Sequence, residues 1–198
     1  MSPRRLGVMG GTFDPPHLGH LAAASEAHTL LGLDAVVFVP AGSPWQKADR
    51  PLSPAHHRLA MTTLATQDDP RFLVSQVDLL RSGPTYTFDT LADLRAEHGD
   101  DAEFFLLLGA DALAGFGSLH RAAEVARACT LVGVTRPGTE LRAPGPPAEE
   151  VILLTVPGTS ISSTECRERF AANVPTIYLV PDSVIAYAQD HALYGGAR

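Results

Sequence analysis

His17 and His20 stand three residues apart, directly after Gly10-Gly11-Thr12-Phe13-Asp14-Pro15-Pro16 and a short apolar run. On a helix that opens near His17, positions i and i+3 share a face, so both imidazoles can address one ligand beside the helix's positive end. A glycine turn, a helix start and paired imidazoles together point to phosphate chemistry. Zinc is the competing chemistry, but a catalytic zinc needs a third protein ligand and none is suggested nearby. The plainer alternative is a tight strand-to-helix turn with two surface histidines. A second anion site can be argued independently in Ile161-Ser162-Ser163-Thr164-Glu165-Cys166-Arg167. Ser162 and Glu165 match the S-x-x-E capping box of a helix start, and the cap alone is worth about 1 kcal/mol. Three consecutive hydroxyls, free helix amides and Arg167 one turn in would also surround a polyphosphate.

The elements that must hold these groups alternate between strand and helix. Residues 5–10 and 35–39 read as strands, and the alanine-rich stretch 18–31 between them as a helix, which makes a βαβ unit. Ser53-Pro54 offers an N-cap and a first-turn proline for a second helix to about Gln67, followed by a strand over 72–77. Helices are expected over 87–97 and 121–127, and strands over 103–108, 130–135 and 151–156, with a proline- and glycine-rich loop at 137–147. The remainder is mainly helical. This order is that of a doubly wound α/β fold with a mainly parallel sheet, in which ligands bind at the carboxyl ends of the strands, where the glycine turn falls. No Gly-x-Gly-x-x-Gly follows the first strand and no Gly-Lys-Ser/Thr occurs anywhere, which removes the main sequence support for a dinucleotide dehydrogenase or a P-loop NTPase.

Bulk properties set the outer limits. A chain of 198 residues, 45% apolar, can bury a substantial core, and one domain over 1–198 is expected, with the helical part from about 161 packed on it. The net charge of −7 argues against a broad basic surface for nucleic acid, while leaving room for a small anion in a local pocket. Fourteen arginines accompany a single lysine, Lys47. Cys129 and Cys166 form neither a metal pattern nor a disulfide framework. No apolar run is long enough to span a bilayer and no secretory pattern is seen, so a cytoplasmic protein without membrane contact is expected. His56-His57-Arg58 reads as a solvated polar helix face, with Arg58 as the alternative candidate for a ligand contact. Phe104 and Phe105 read as strand core, and Phe170, Tyr187 and Tyr194 as packing of the last helices.

Residues 10–20 resemble the signature of nucleotidyltransferases with a His-x-Gly-His motif, here His17-Leu18-Gly19-His20, and residues 161–167 resemble the Ile-Ser-Ser-Thr-x-x-Arg signature of the same superfamily. Gly83-Pro84-Thr85-Tyr86-Thr87-Phe88-Asp89-Thr90-Leu91, Leu108-Gly109-Ala110-Asp111 and Arg136-Pro137-Gly138 are similar to segments of bacterial nicotinate-nucleotide adenylyltransferases, in the same order along nearly the whole chain. The resemblance implies a Rossmann-like nucleotidyltransferase fold and transfer of the adenylyl group of ATP to nicotinate mononucleotide, with magnesium carried on the triphosphate and no metal held by the protein. It implies His17, His20 and Arg167 as catalytic residues. Gly10, Gly11, Thr12, Phe13, Gly109, Asp111, Ser162, Ser163 and Thr164 join them at ATP, Asp111 at a ribose hydroxyl. Phe13, Pro40, Lys47, Tyr86, Thr87 and Arg136 are implied at the mononucleotide. One departure stands out: the family usually carries a tryptophan three residues after a phenylalanine like Phe116, and here that position is Leu119. The alternatives are a sister enzyme using nicotinamide mononucleotide or phosphopantetheine, and a nucleotide-binding regulatory module. A homo-oligomer is compatible with all of these.

Overall fold

The computed structural model describes residues 3–43, 52–135, 144–148, 150–156 and 160–195. Trp45, Lys47, Arg136 and the Pro137-Gly138 pair lie outside the described residues. Six strands form one sheet: β1 (Arg5–Gly11), β2 (Ala35–Pro40), β3 (Phe72–Val74), β4 (Glu103–Gly109), β5 (Thr130–Thr135) and β6 (Val151–Thr155). Every pairing is parallel and the order is β3-β2-β1-β4-β5-β6. The chain therefore winds outward from β1 in one direction and, after β3, outward from β4 in the other. That reversal places a crevice between the carboxyl ends of β1 and β4.

Helices α1 (Leu18–Leu31), α2 (Ala55–Thr66), α3 (Val77–Leu80), α4 (Thr87–His98), α5 (Ala110–Ala114) and α6 (Ala122–Ala128) connect the strands, and α7 (Ser163–Ala171) and α8 (Asp182–Asp190) follow them. Both faces of a parallel sheet are covered, so its strands read as near-continuous apolar runs and the period of two only sorts residues between faces. Along β2, Val37 and Val39 join one core with Leu6, Val8, Phe104, Leu106, Leu91 and Leu94, whereas Val36 and Phe38 join the other with Met9, Phe105, Leu107, Ala24 and Ala27. Phe104 and Phe105 are core on opposite faces, as expected. Truncating a fully buried side chain such as Leu94 to alanine would cost about 2–5 kcal/mol. A third core brings Cys166 and Phe170 of α7 and Val184 and Ala188 of α8 against Met61 of α2.

Several boundaries differ from expectation, most of them by a single residue, and two of the differences have a clear physical cause. The third strand ends at Val74, because Ser75 turns its hydroxyl to Glu97 (2.7 Å) and the chain bends at Gln76, whose carbonyl accepts from Leu79 (2.9 Å). Helix α2 starts at Ala55, with Pro54 at the N-cap position. Ser53 is not the cap, since its amide donates to Asp14 Oδ2 (3.2 Å) and its carbonyl accepts from Arg58 Nε (3.0 Å).

Candidate active site

At the crevice between β1 and β4 lies a cavity of about 620 Å³. Gly10, Gly11 and Thr12 line it from β1, Asp111, Ala112 and Gly115 from the chain beyond β4, and Thr85, Thr87 and Thr90 from the start of α4. Its walls are hydroxyls, glycine backbone and leucines, which suits a ligand with a flat ring and several hydrogen-bonding groups. A Cβ at Gly10 or Gly109 would meet nothing within 4 Å, so both glycines open onto free space where a ligand can approach backbone. Leu119, at the position where the family tryptophan was expected, also lines the cavity. Tyr86 packs its ring on His120, 4.4 Å between centroids, and Pro40 is buried at the end of β2, paired with Gly11.

His17 is the N-cap of α1, as expected, and the rings of His17 and His20 stack 3.6 Å apart at 24°. The backbone N–H of His17 donates to His20 Nδ1 at 3.2 Å. In a neutral ring this leaves the proton on Nε2, so His20 presents Nε2–H as a donor. Gly19 suits the stack, because a Cβ there would stand 3.0 Å from His17 Nδ1 and press on that ring. The His-x-Gly-His spacing thus has a packing reason alongside its chemistry.

Phe13 departs from the simplest picture of a ligand-facing aromatic. Its backbone is left-handed, φ +48°, and its ring is 2% exposed, set edge-on to His20 at 5.1 Å and against Phe38 at 5.7 Å. What Phe13 can offer a ligand is backbone. A bulky residue at positive φ is uncommon and must be held there by its surroundings.

Helix α7 reaches the same loop. Ser162 accepts from the Glu165 amide at 3.1 Å and so caps the helix, but the reciprocal half of the capping box is absent: the Glu165 carboxylate accepts from Arg169 Nε (3.3 Å), the cation one turn on. Ser163 donates to the Pro15 carbonyl at 2.8 Å. Arg167 donates through Nη1 to the Asp14 carbonyl (2.8 Å) and through Nη2 to Thr164 Oγ1 (3.1 Å). The two predicted anion sites, 148 residues apart at Pro15 and Ser163, are therefore stitched into one.

Four residues given no such role from the sequence, Arg58, Asp14, Tyr194 and Asp78, adjoin the site. Arg58 is not on a solvated face: it is 2% exposed and donates to four carbonyls, those of Ser53 (3.0 Å), Thr12 (3.0 Å), Ala41 (2.7 Å) and Gly42 (3.0 Å). Burial draws its pKa below the usual guanidinium value, opposed by the charge of Asp14. Asp14, 1% exposed, accepts from Tyr194 Oη at 2.8 Å as well as from the Ser53 amide. Burial, then the neighbouring Asp14 charge, push the Tyr194 phenol well above its ordinary pKa, so it stays a donor. Asp78 lines the cavity and accepts from Thr90 (2.7 Å) and Arg81 (3.3 Å); burial raises its pKa, with those two partners opposing. No local pattern marks Arg58 or Tyr194, because their partners lie in distant loops. Among the described residues no group of three or more histidines, cysteines or acids could hold a metal, and no helix is long and apolar enough to cross a membrane.

The cytidylyltransferase-like family profile matches residues 8–169. A protein of Acidothermus cellulolyticus named probable nicotinate-nucleotide adenylyltransferase is 53% identical over 195 residues, 96% of this chain and 94% of that one. One of the same name from Saccharopolyspora erythraea is 51% identical over 193 residues, covering 98% and 91%. In fold, the chain is similar to the nicotinic acid mononucleotide adenylyltransferase of Plasmodium falciparum, solved in complex with NaAD, with a TM-score of 0.80 at 19% identity over 98% of both chains.

Proposed function

The chain belongs to the nicotinate-nucleotide adenylyltransferases of the cytidylyltransferase-like family, and from that premise we propose that the crevice between β1 and β4 is where its reaction takes place. The enzyme joins the adenylyl group of ATP to nicotinate mononucleotide, giving nicotinate adenine dinucleotide and pyrophosphate in NAD biosynthesis. An oxygen of the mononucleotide phosphate forms a bond to the α-phosphorus as the bond from that phosphorus to the bridging oxygen of pyrophosphate breaks. A phosphate monoester has a second pKa near 6, so the nucleophile is largely dianionic at neutral pH and needs no general base. The protein's work is then alignment and charge stabilisation.

His20 Nε2–H donates to the charge gathering at the α-phosphoryl group, with His17 stacked on it to fix the ring plane. Arg167, the hydroxyls of Ser162 and Thr164 and the helix-start amide of Ser163 receive the β- and γ-phosphates; the Ser163 hydroxyl and Arg167 are already anchored to the loop that follows Gly10, Gly11 and Thr12. Asp111 accepts from a ribose hydroxyl, beside the open backbone of Gly109. Tyr86, Thr87, Pro40 and the backbone of Phe13 flank the mononucleotide, with Lys47 and Arg136 assigned to it from the family likeness. Magnesium enters as part of the MgATP substrate. Residues 1–198 act as one catalytic unit in the cytoplasm, a setting compatible with a homo-oligomer. The observation that supports it most directly is the convergence of both helix starts, α1 and α7, on the single loop 12–15 beside the cavity.

The test is pyrophosphate release by the purified protein with MgATP and either nicotinate or nicotinamide mononucleotide. The acid is expected to turn over much faster than the amide. Equal or reversed rates would overturn the substrate assignment, and no release with either would favour a binding module.

A further inference from the structure

We propose that Arg58 is a positioning residue for adenylyl transfer: its buried guanidinium sets the loop that carries the ATP-facing backbone against the loop on the mononucleotide side. The assignment of the two sides rests on the function proposed above. The loops follow adjacent parallel strands, β1 and β2, and leave them at the same end of the sheet. Among the described residues the Ala41 amide donates to the Gly11 carbonyl at 2.8 Å and the Ser53 amide to Asp14 Oδ2 at 3.2 Å, so each loop also meets the other directly. Arg58 adds a rigid three-point bridge: Nη1 is shared by the Thr12 carbonyl of the first loop and the Ala41 carbonyl of the second, and Nη2 holds Gly42.

The chemistry suits this role better than a ligand contact. The side chain is 2% exposed, so no phosphate reaches it without the loops parting. Its four acceptors are neutral carbonyls, an expensive environment for a buried cation, and the planar fork is the feature that lets one group hold carbonyls from separate segments. The Thr12 carbonyl it holds precedes Phe13, the residue at φ +48°, so Arg58 also fixes the turn that aims Gly10 to Thr12 into the cavity. Bringing two polyanions into line is sensitive to position, and a displacement of about 1 Å at the reacting atoms can cost on the order of 100-fold in rate.

Arg58→Lys keeps the charge and removes the fork. In steady-state assays of the whole enzyme with MgATP and nicotinate mononucleotide, kcat is expected to fall about 10- to 100-fold with both KM values within about threefold of wild type. Hydrogen–deuterium exchange of the substrate-free protein should rise together in residues 10–13 and 41–43 and stay unchanged in β4 and β5. The exchange measurement needs no substrate, so it stands even if the adenylyl transfer reading fails, whereas an inactive wild type would condemn that reading alone. A folded Arg58→Lys protein with kcat within twofold of wild type, or with exchange raised in only one loop, overturns the proposal. If Arg58→Lys does not fold, Arg58→Gln is judged by the same readouts. Failure of both to fold assigns Arg58 to stability alone and likewise overturns the proposal.

Discussion

Two arginines grip the loop after β1 from opposite sides of one strained residue, Arg58 through the Thr12 carbonyl and Arg167 through the Asp14 carbonyl, with Phe13 between them. Arg58 is sealed in and its hydrogen bonds go to backbone carbonyls. Arg167 is half-exposed, and among the described residues its other hydrogen bond goes to the Thr164 hydroxyl, an exposed side chain a phosphate can displace. The same residue type therefore does different work according to how much of its fork remains near solvent. Burial with the fork on backbone carbonyls fixes backbone, whereas partial exposure leaves a cation that, under the function proposed above, can follow a leaving pyrophosphate.

That contrast is most sharply tested by removing each side chain. Arg58→Ala should lower stability by about 3–5 kcal/mol, since it strips buried carbonyls of a charged donor and leaves a cavity, and thermal unfolding should show a melting point lower by about 6–20 °C. Arg167→Ala should leave the melting point nearly unchanged and lower kcat about 10²- to 10³-fold, the usual cost of losing one donor to developing charge. If the two variants exchanged these phenotypes, the division of labour would be wrong.

Tyr194→Phe removes the phenol from Asp14 and tests whether a third clamp acts on the same loop. A loss of about 1–3 kcal/mol in denaturant unfolding is expected, with a smaller effect on kcat than Arg167→Ala. No change in stability would mean that the Ser53 amide alone satisfies the carboxylate.

The smallest effect concerns the far side of α2, next to Arg58 in sequence. His57 hydrogen-bonds Tyr187 Oη at 2.9 Å and lies against His56 and His191. Burial first, and then these two imidazoles, lower its pKa from the ordinary 6.5. The folded state thus favours the neutral ring, so the contribution to stability is present above about pH 6.5 and is lost as pH falls through the lower folded value. The effect is small because His57 is partly exposed and its neighbours are screened by water. Melting curves from pH 7.5 to 5 should flatten slightly in His57→Gln; an unchanged or steeper decline would refute the linkage.

Much of this arrangement was legible in the chain because its signals are local. The βαβ start, the glycine turn at a strand's carboxyl end, the i, i+3 histidines and the Ser162 cap each depend on neighbours within a few residues, and each stands where expected. The burial of Arg58 was not legible, since His56-His57-Arg58 carries the charge pattern of a wet helix face and the acceptors are carbonyls, which every residue possesses. Phe13 was implied at ATP and at the mononucleotide, but that its ring folds back onto Phe38 and leaves only backbone for a ligand was not legible, because a positive φ leaves no mark in composition. Glu165 matched a capping box, yet Arg169 one turn later competed for its carboxylate.

The bond between Tyr194 and Asp14 also has a consequence in time. The two residues are 180 positions apart, and at synthesis rates of about 5–20 residues per second the acid precedes its phenol by roughly 10–35 s. Through that interval β1, β2 and β4 can already pair, while Asp14 waits for a donor that only a chain extended to Tyr194 can supply. A nascent or prematurely released chain would carry the glycine-histidine segment, and even the sheet behind it, with a buried carboxylate still lacking this partner.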